Sequence, residues 1–182
     1  MSILGNRVLR KEDPAFLTTG ATYTADLGDP RLANAAYVTY VRSTVASAAI
    51  AGIDTSEAAA LPGVLGVYTA ADFADLPQIT AMVPLFPPPM MTRPWLADGV
   101  VRFVGEPVAA IVAENPAIGA DAAELVFVDY DVRTPVIDLE AAAAGGDAVY
   151  PDIGTNVAVD FVAFQMMKGV TDDSFFDGCD VV

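Results

Sequence analysis

Histidine is absent from this chain, and cysteine occurs once, at Cys179. The first absence removes Ser-His-Asp and Cys-His nucleophile arrangements, together with most zinc sites. The second rules out an intramolecular disulfide and fits a reducing compartment. No base and no helix start lies near Cys179 in the sequence, so it reads as an inert thiol. Cations are scarce too: 9 Lys and Arg stand against 24 Asp and Glu, a net charge of −15. Neutralising phosphates takes clustered Lys and Arg. Here they are scattered, which argues against nucleic acid and against an anionic membrane surface as partners. The acidity reads as solubility. No apolar run reaches the ~20 residues that span a bilayer. The longest, Ala58 to Val67, is interrupted by Pro62, Gly63 and Gly66. The opening MSILGNRVLRKEDP lacks the apolar core of a signal peptide, so a cytoplasmic location is expected. A phosphate-binding loop is missing as well. Gly63-Val64-Leu65-Gly66 has neither the third glycine nor the Lys-Ser/Thr ending.

What is present is a chain of 182 residues, room for one domain or one domain plus part of another. A chain of this size buries roughly two-thirds of its unfolded surface. Hydrophobic residues make up 54% of it with no membrane segment to absorb them. Either alanine inflates that count, or the chain is a module with surface to bury in a larger assembly.

The stretch Val100 to Val132 organises the rest. Val101 and Phe103 alternate with Arg102 and Val104 as a strand, which Gly105-Glu106-Pro107 breaks. Val108 to Ala113 is a continuous apolar run, the pattern of a strand buried on both faces. Asn115-Pro116 then supplies a helix cap followed by proline in the first helical position. Ile118, Ala122 and Leu125 share one helix face, away from Asp121 and Glu124. Val126 to Tyr130 returns as a strand, and a parallel return would have to cross over right-handed. The same order occurs earlier. Ala48 to Ile53 reads as a strand, and Asp54-Thr55-Ser56-Glu57 as a capping box in which the Asp caps and Glu57 reaches back. A short helix ends at Pro62-Gly63, and Val64 to Thr69 returns. Both units are expected in one sheet, with their helices laid against it. The fold class is α/β or α+β, built on two strand–helix–strand units.

Around these units the chain is less regular. Met1 to Pro30 carries turn signals at short spacing and is expected to run extended. Leu32 to Val41 alternates as a strand. Ala74 to Asp98 holds Pro77, Pro84, Pro87-Pro88-Pro89 and Pro94 beside Met90-Met91 and Trp95. Consecutive prolines forbid helix, and so long a loop is expected to pack on other domains or subunits. The domain 31–135 is followed by a linker, 136–155, with a short helix near Glu140 to Gly146. Asn156 to Met166 alternates again, and 156–182 reads as the incomplete start of a following domain.

Three groups of residues invite a chemical role. Asp54-Thr55-Ser56 resembles an aspartic-protease triplet, but serine replaces the required glycine, and capping accounts for it better. Asp129 and Asp131 share a strand face and could share a proton, yet beside a linker they read as a solvated face. Glu106 lies in a tight bend, where accepting backbone N–H groups accounts for it. No catalytic, cofactor-binding or metal-binding residue is named on this basis.

Several blocks together resemble the xanthine dehydrogenase/aldehyde oxidase family. They are Gly5 to Leu27 (GNRVLRKEDPAFLTTGATYTADL), Val41-Arg42-Ser43 through Ile53-Asp54, Leu61-Pro62-Gly63-Val64, Val101 to Ala113 (VRFVGEPVAAIVA) and Val128-Asp129-Tyr130. More narrowly they are similar to the molybdopterin-binding large subunit of aerobic carbon-monoxide-dehydrogenase-type enzymes. The resemblance implies the N-terminal α/β-hammerhead domain of that subunit. Such enzymes oxidise carbon monoxide or hydroxylate aldehydes and heterocycles at a molybdenum centre, passing electrons through iron–sulfur and FAD subunits. It implies an oligomeric assembly, molybdopterin held by downstream domains, and catalytic residues outside this chain, which alone would be inactive. Thr44-Val45-Ala46-Ser47-Ala48 departs from the family, which usually shows proline and histidine after the serine. The alternative reading is a stand-alone structural or interaction protein that keeps the hammerhead without the chemistry.

Overall fold

Residues 5, 10–20, 23–26, 28–79 and 91–158 are described by a computed structural model of the chain. They divide into two units, Met1–Ala35 and Ala36–Val182.

In the first unit the expected extended course is interrupted by helix α1 (Asp13–Thr18), with Pro14 in its opening turn. The reason is local: proline at the start of a helix lacks only an N–H that would be unpaired anyway. Phe16 and Tyr23 rings lie 6.0 Å apart. Asp29 then caps a single 3-10 turn, Pro30–Leu32, by accepting from the Arg31 N–H. The Arg31 guanidinium beside it, with that N–H second, holds the Asp29 carboxyl below its ordinary range.

The second unit runs β1 (Tyr37–Arg42), β2 (Ala48–Asp54), α2 (Ser56–Ala60), β3 (Val64–Tyr68), β4 (Val100–Val101), β5 (Pro107–Ala113), α3 (Pro116–Glu124), β6 (Phe127–Val132) and α4 (Leu139–Ala143). The strand expected from Leu32 begins only at Tyr37, because the capped turn occupies its first residues. The strand expected over Val101 to Val104 pairs only at Val100–Val101 before the bend.

The strands form two sheets, not the single one expected. One has the order β1-β5-β3 and the other β4-β2-β6, and every pairing is antiparallel. Each strand–helix–strand unit starts in one sheet and ends in the other. β2 pairs with β6, while β3 pairs with β5. The two units therefore clasp each other, the first strand of each against the second strand of the other. Among the described residues no parallel crossover arises, so the handedness rule has nothing to act on.

Two cores result. Ala58 of α2, Ile111 of β5 and Ala122 of α3 meet beneath one sheet, with Val41, Leu61, Val64, Val67, Ala123 and Val126 around them. Ala48, Ala97, Val101 and Val108 form the other. β5 is buried along most of its length, as its continuous apolar run predicts. Asn115 caps α3 by accepting the Ile118 N–H at 3.0 Å. The buried face of α3 differs from expectation: Gly119 and Ala122 face inward, while Leu125 ends the helix exposed. Gly119 lets β1 approach closely, since a Cβ there would lie 3.2 Å from the Thr39 Cβ.

The expected connector helix is α4, capped by Asp138, which accepts the Ala141 N–H at 2.7 Å. Asn156 does not open a strand. Its amide accepts from Val149 N–H at 2.8 Å and donates to the Asp147 and Ala142 carbonyls, tying it back to the connector. The rest of the strand expected to Met166 lies outside the described residues, as does Cys179.

Candidate functional site

The acid singled out in the sequence, Glu106, is 5% exposed. Gly105 before it has φ +88°, a left-handed conformation that glycine adopts without strain. That conformation folds the chain back from β4 into β5. Two backbone bonds fasten the bend to Ser43 at the end of β1. Ser43 N–H donates to the Glu106 carbonyl and Gly105 N–H to the Ser43 carbonyl, both at 2.8 Å. Arg42 adds a bond from Nη1 to the Gly105 carbonyl at 2.9 Å. Ser43 is itself buried and accepts the Val45 N–H on its hydroxyl. The Glu106 carboxylate accepts the Arg102 N–H across the bend.

Glu106 and Pro107 also line a cavity of about 290 Å³ with Tyr40, Arg93, Trp95 and Phe103. Its rim is the described base of the Pro/Met loop. Ile79 and Arg93 pair as a bridge with bonds of 2.8 and 3.1 Å, and the Trp95 indole donates to the Pro77 carbonyl at 3.0 Å. Leu96 and Ala97 are buried. The loop's tip, residues 80–90, lies outside the described residues.

A single buried carboxylate satisfied by a backbone donor is a bend-holder. Glu106→Ala is expected to cost about 1–3 kcal/mol, the penalty for leaving a buried N–H unpaired. Urea unfolding reads that cost, and an unchanged midpoint would contradict it.

The other candidates lie apart. Asp54 does not cap α2 in the expected way: Thr55 occupies the cap with no side-chain bond. Instead the Asp54 Oδ1 accepts from Ser56 Oγ at 2.6 Å and Ser56 N–H at 2.9 Å. A side chain reaching two residues ahead closes its own turn before a box can form. The Ser56 hydroxyl, then its N–H, hold the Asp54 carboxyl below the ordinary range. A true capping box, not among the expected motifs, forms at Thr69 and Asp72, where Thr69 N–H donates to Asp72 Oδ2 at 2.7 Å. Its T-x-x-D spacing was the available signal. Asp129 and Asp131 are exposed on β6. Among the described residues, no group of three or more His, Cys, Asp or Glu is placed to hold a metal ion.

The class that emerges is a mixed helix–strand module of two small antiparallel sheets clasped by interleaved units. A family profile described as "Aldehyde oxidase and xanthine dehydrogenase, a/b hammerhead domain" matches residues 18–134, and the chain belongs to that family. It is 38% identical over 160 residues to the nicotine 6-hydroxylase large subunit of Paenarthrobacter nicotinovorans, covering 87% of this chain and 19% of that one. To the carbon monoxide dehydrogenase large chain of Afipia carboxidovorans it is 37% identical, covering 74% of this chain and 16% of the other. The solved quinoline 2-oxidoreductase of Pseudomonas putida 86 superposes with a TM-score of 0.70 at 41% identity, over 87% of this chain and 20% of that one. The chain thus spans about a fifth of the length of these relatives.

Proposed function

We propose that this chain is the N-terminal hammerhead portion of the large subunit of a molybdenum hydroxylase, and that it acts there as a scaffold. The observation that carries the reading is the match of residues 18–134 to the hammerhead domain, together with an alignment of most of the chain to about one fifth of a relative named as a large subunit. In this reading 31–135 is the hammerhead proper, 136–155 a linker, and 156–182 the beginning of a molybdopterin-binding domain. Its partners are the downstream domains of the same subunit, an iron–sulfur subunit and an FAD subunit, in a cytoplasmic assembly. The Pro/Met loop, 74–98, meets one of them.

No described residue is assigned to molybdopterin in this reading. The described residues offer no cluster of metal-ligating side chains, and the one buried carboxylate identified is engaged in a bend. The chain carries no glycine-rich phosphate cradle. In this reading no catalytic step falls to this chain, and catalytic, cofactor-binding and metal-binding residues belong to the downstream domains.

A domain exchange tests the scaffold role. The segment of the nicotine 6-hydroxylase large subunit that aligns with residues 18–134 is replaced by those residues of this chain. The chimera is expected to assemble, to take up molybdenum and to keep nicotine hydroxylation. A chimera that assembles and loads molybdenum but has lost turnover would place chemistry in the segment and contradict the proposal.

A further inference from the structure

The sheet order β4-β2-β6 sets two arginines on the two flanks of one residue. Val101 of β4 and Val132 of β6 are both register partners of Ala48, one on each side of β2. The residues next in line are Arg102 and Arg133, and the residue before Ala48 is Ser47. The register therefore places the two arginines on either side of Ser47. The Arg133 N–H donates to the Ser47 carbonyl at 2.9 Å, continuing the ladder by one step. Successive strands lie about 4.8 Å apart, so the two arginine backbones stand roughly two strand spacings from each other.

All three residues line a cavity of about 550 Å³, whose far wall is formed by Asp147, Ala148, Val149, Pro151 and Asp152. The Arg102 guanidinium lies over the Tyr150 ring, 4.6 Å from its centroid. Stacking occupies the faces of the guanidinium and leaves the N–H groups around its edge for other partners. Those groups are poorly served. Nη1 reaches only the Val100 carbonyl, at 3.5 Å, and Nε is buried with no hydrogen-bond partner. Asp147 and Asp152 line the same cavity, but neither is ion-paired with Arg102 or Arg133: the ion pairs among the described residues are Arg10–Asp13 and Arg31–Asp29. With 24 acids against 9 bases, two arginines facing one cavity without a carboxylate partner are out of keeping with the chain's balance.

We propose that the Arg102–Ser47–Arg133 row is a binding site for a carboxylate. Each guanidinium carries a fork of N–H donors that matches the paired oxygens of that group, and two long side chains rising from either side of Ser47 can reach one carboxylate in the cavity between them. The carboxylate comes from a free small acid or from an acidic side chain of another polypeptide. The acidic far wall favours a carboxylate held at the arginine row over one centred in the cavity.

The test uses the 182-residue chain, following the Arg102 and Arg133 Nε–H signals by nitrogen-15 NMR. Sodium acetate and a hexaglutamate peptide are titrated in separate arms against sodium chloride of matched ionic strength. Saturating shifts at both arginines, absent with chloride, are expected, and in Arg133→Gln the remaining Arg102 signal should no longer shift. Arg93→Gln, outside the cavity, should leave them intact. Saturation with acetate identifies a free acid as sufficient, whereas saturation with hexaglutamate alone identifies a side-chain carboxylate. Shifts that track ionic strength in both arms, or that survive Arg133→Gln unchanged, would overturn the proposal.

Discussion

Ile111→Ala is expected to destabilise the fold by about 2–5 kcal/mol, the range for emptying a buried aliphatic site. Ile111 is fully buried and stands at the centre of β5, paired with Thr39 on one side and Val67 on the other. Its partners from the two helices are Ala58 and Ala122. An alanine has no rotamer with which to swing into the space left behind, and both helices are anchored to strands in different sheets. The cavity should therefore persist rather than collapse, which pushes the cost toward the upper part of the range. Denaturant unfolding should show a lower midpoint with an unchanged slope. A cost below about 1 kcal/mol, the level of an ordinary surface change, would mean that the two helices do not meet over Ile111.

Gly119→Ala should also destabilise, against the direction set by helix propensity. In a free helix the change gains about 1 kcal/mol. Here the added methyl meets Thr39 of β1 too closely, with Oγ1 the first atom in its way and Cβ next at 3.2 Å. Overpacking of this kind costs about 1–3 kcal/mol. In a Thr39→Ala background the nearest obstacle is gone, so the penalty should shrink. A double-mutant cycle on the four proteins measures that coupling. Additive effects would show that α3 and β1 are further apart than described.

These two residues also mark what could be read in advance. β5 and α3 were legible because their signals are local: an unbroken apolar run, then asparagine and proline at a helix start. The described parts of the Pro/Met loop, residues 74–79 and 91–98, were legible as irregular from their prolines. The allocation of strands to two sheets was not, because nothing within β2 or β6 states which strand it will lie beside. That choice is made by pairings more than 50 residues apart, such as Asp54 with Phe127. The inward turn of Gly119 instead of Leu125 follows from the same pairings, since the approach of β1 decides which helix face is covered. At Asp54 the expected capping box does not form, because the aspartate serves the nearer N–H, that of Ser56, first. Glu106 was legible as a bend residue, but its anchor Ser43 lies 63 positions away and gave no signal. The Arg102–Ser47–Arg133 row was invisible for a similar reason: it exists only once the register is known.

The scaffold reading is tested most directly by metal analysis of the purified 182-residue chain, made in a host supplied with molybdenum. An iron–sulfur cluster needs four thiolates, and the chain has one cysteine. In cofactor-dependent enzymes the cofactor carries the redox chemistry while protein residues bind and orient it. The account predicts molybdenum and iron at background, no flavin or iron–sulfur absorbance, and a cooperatively folded protein. Molybdopterin bound in a one-to-one ratio with the folded chain would contradict it.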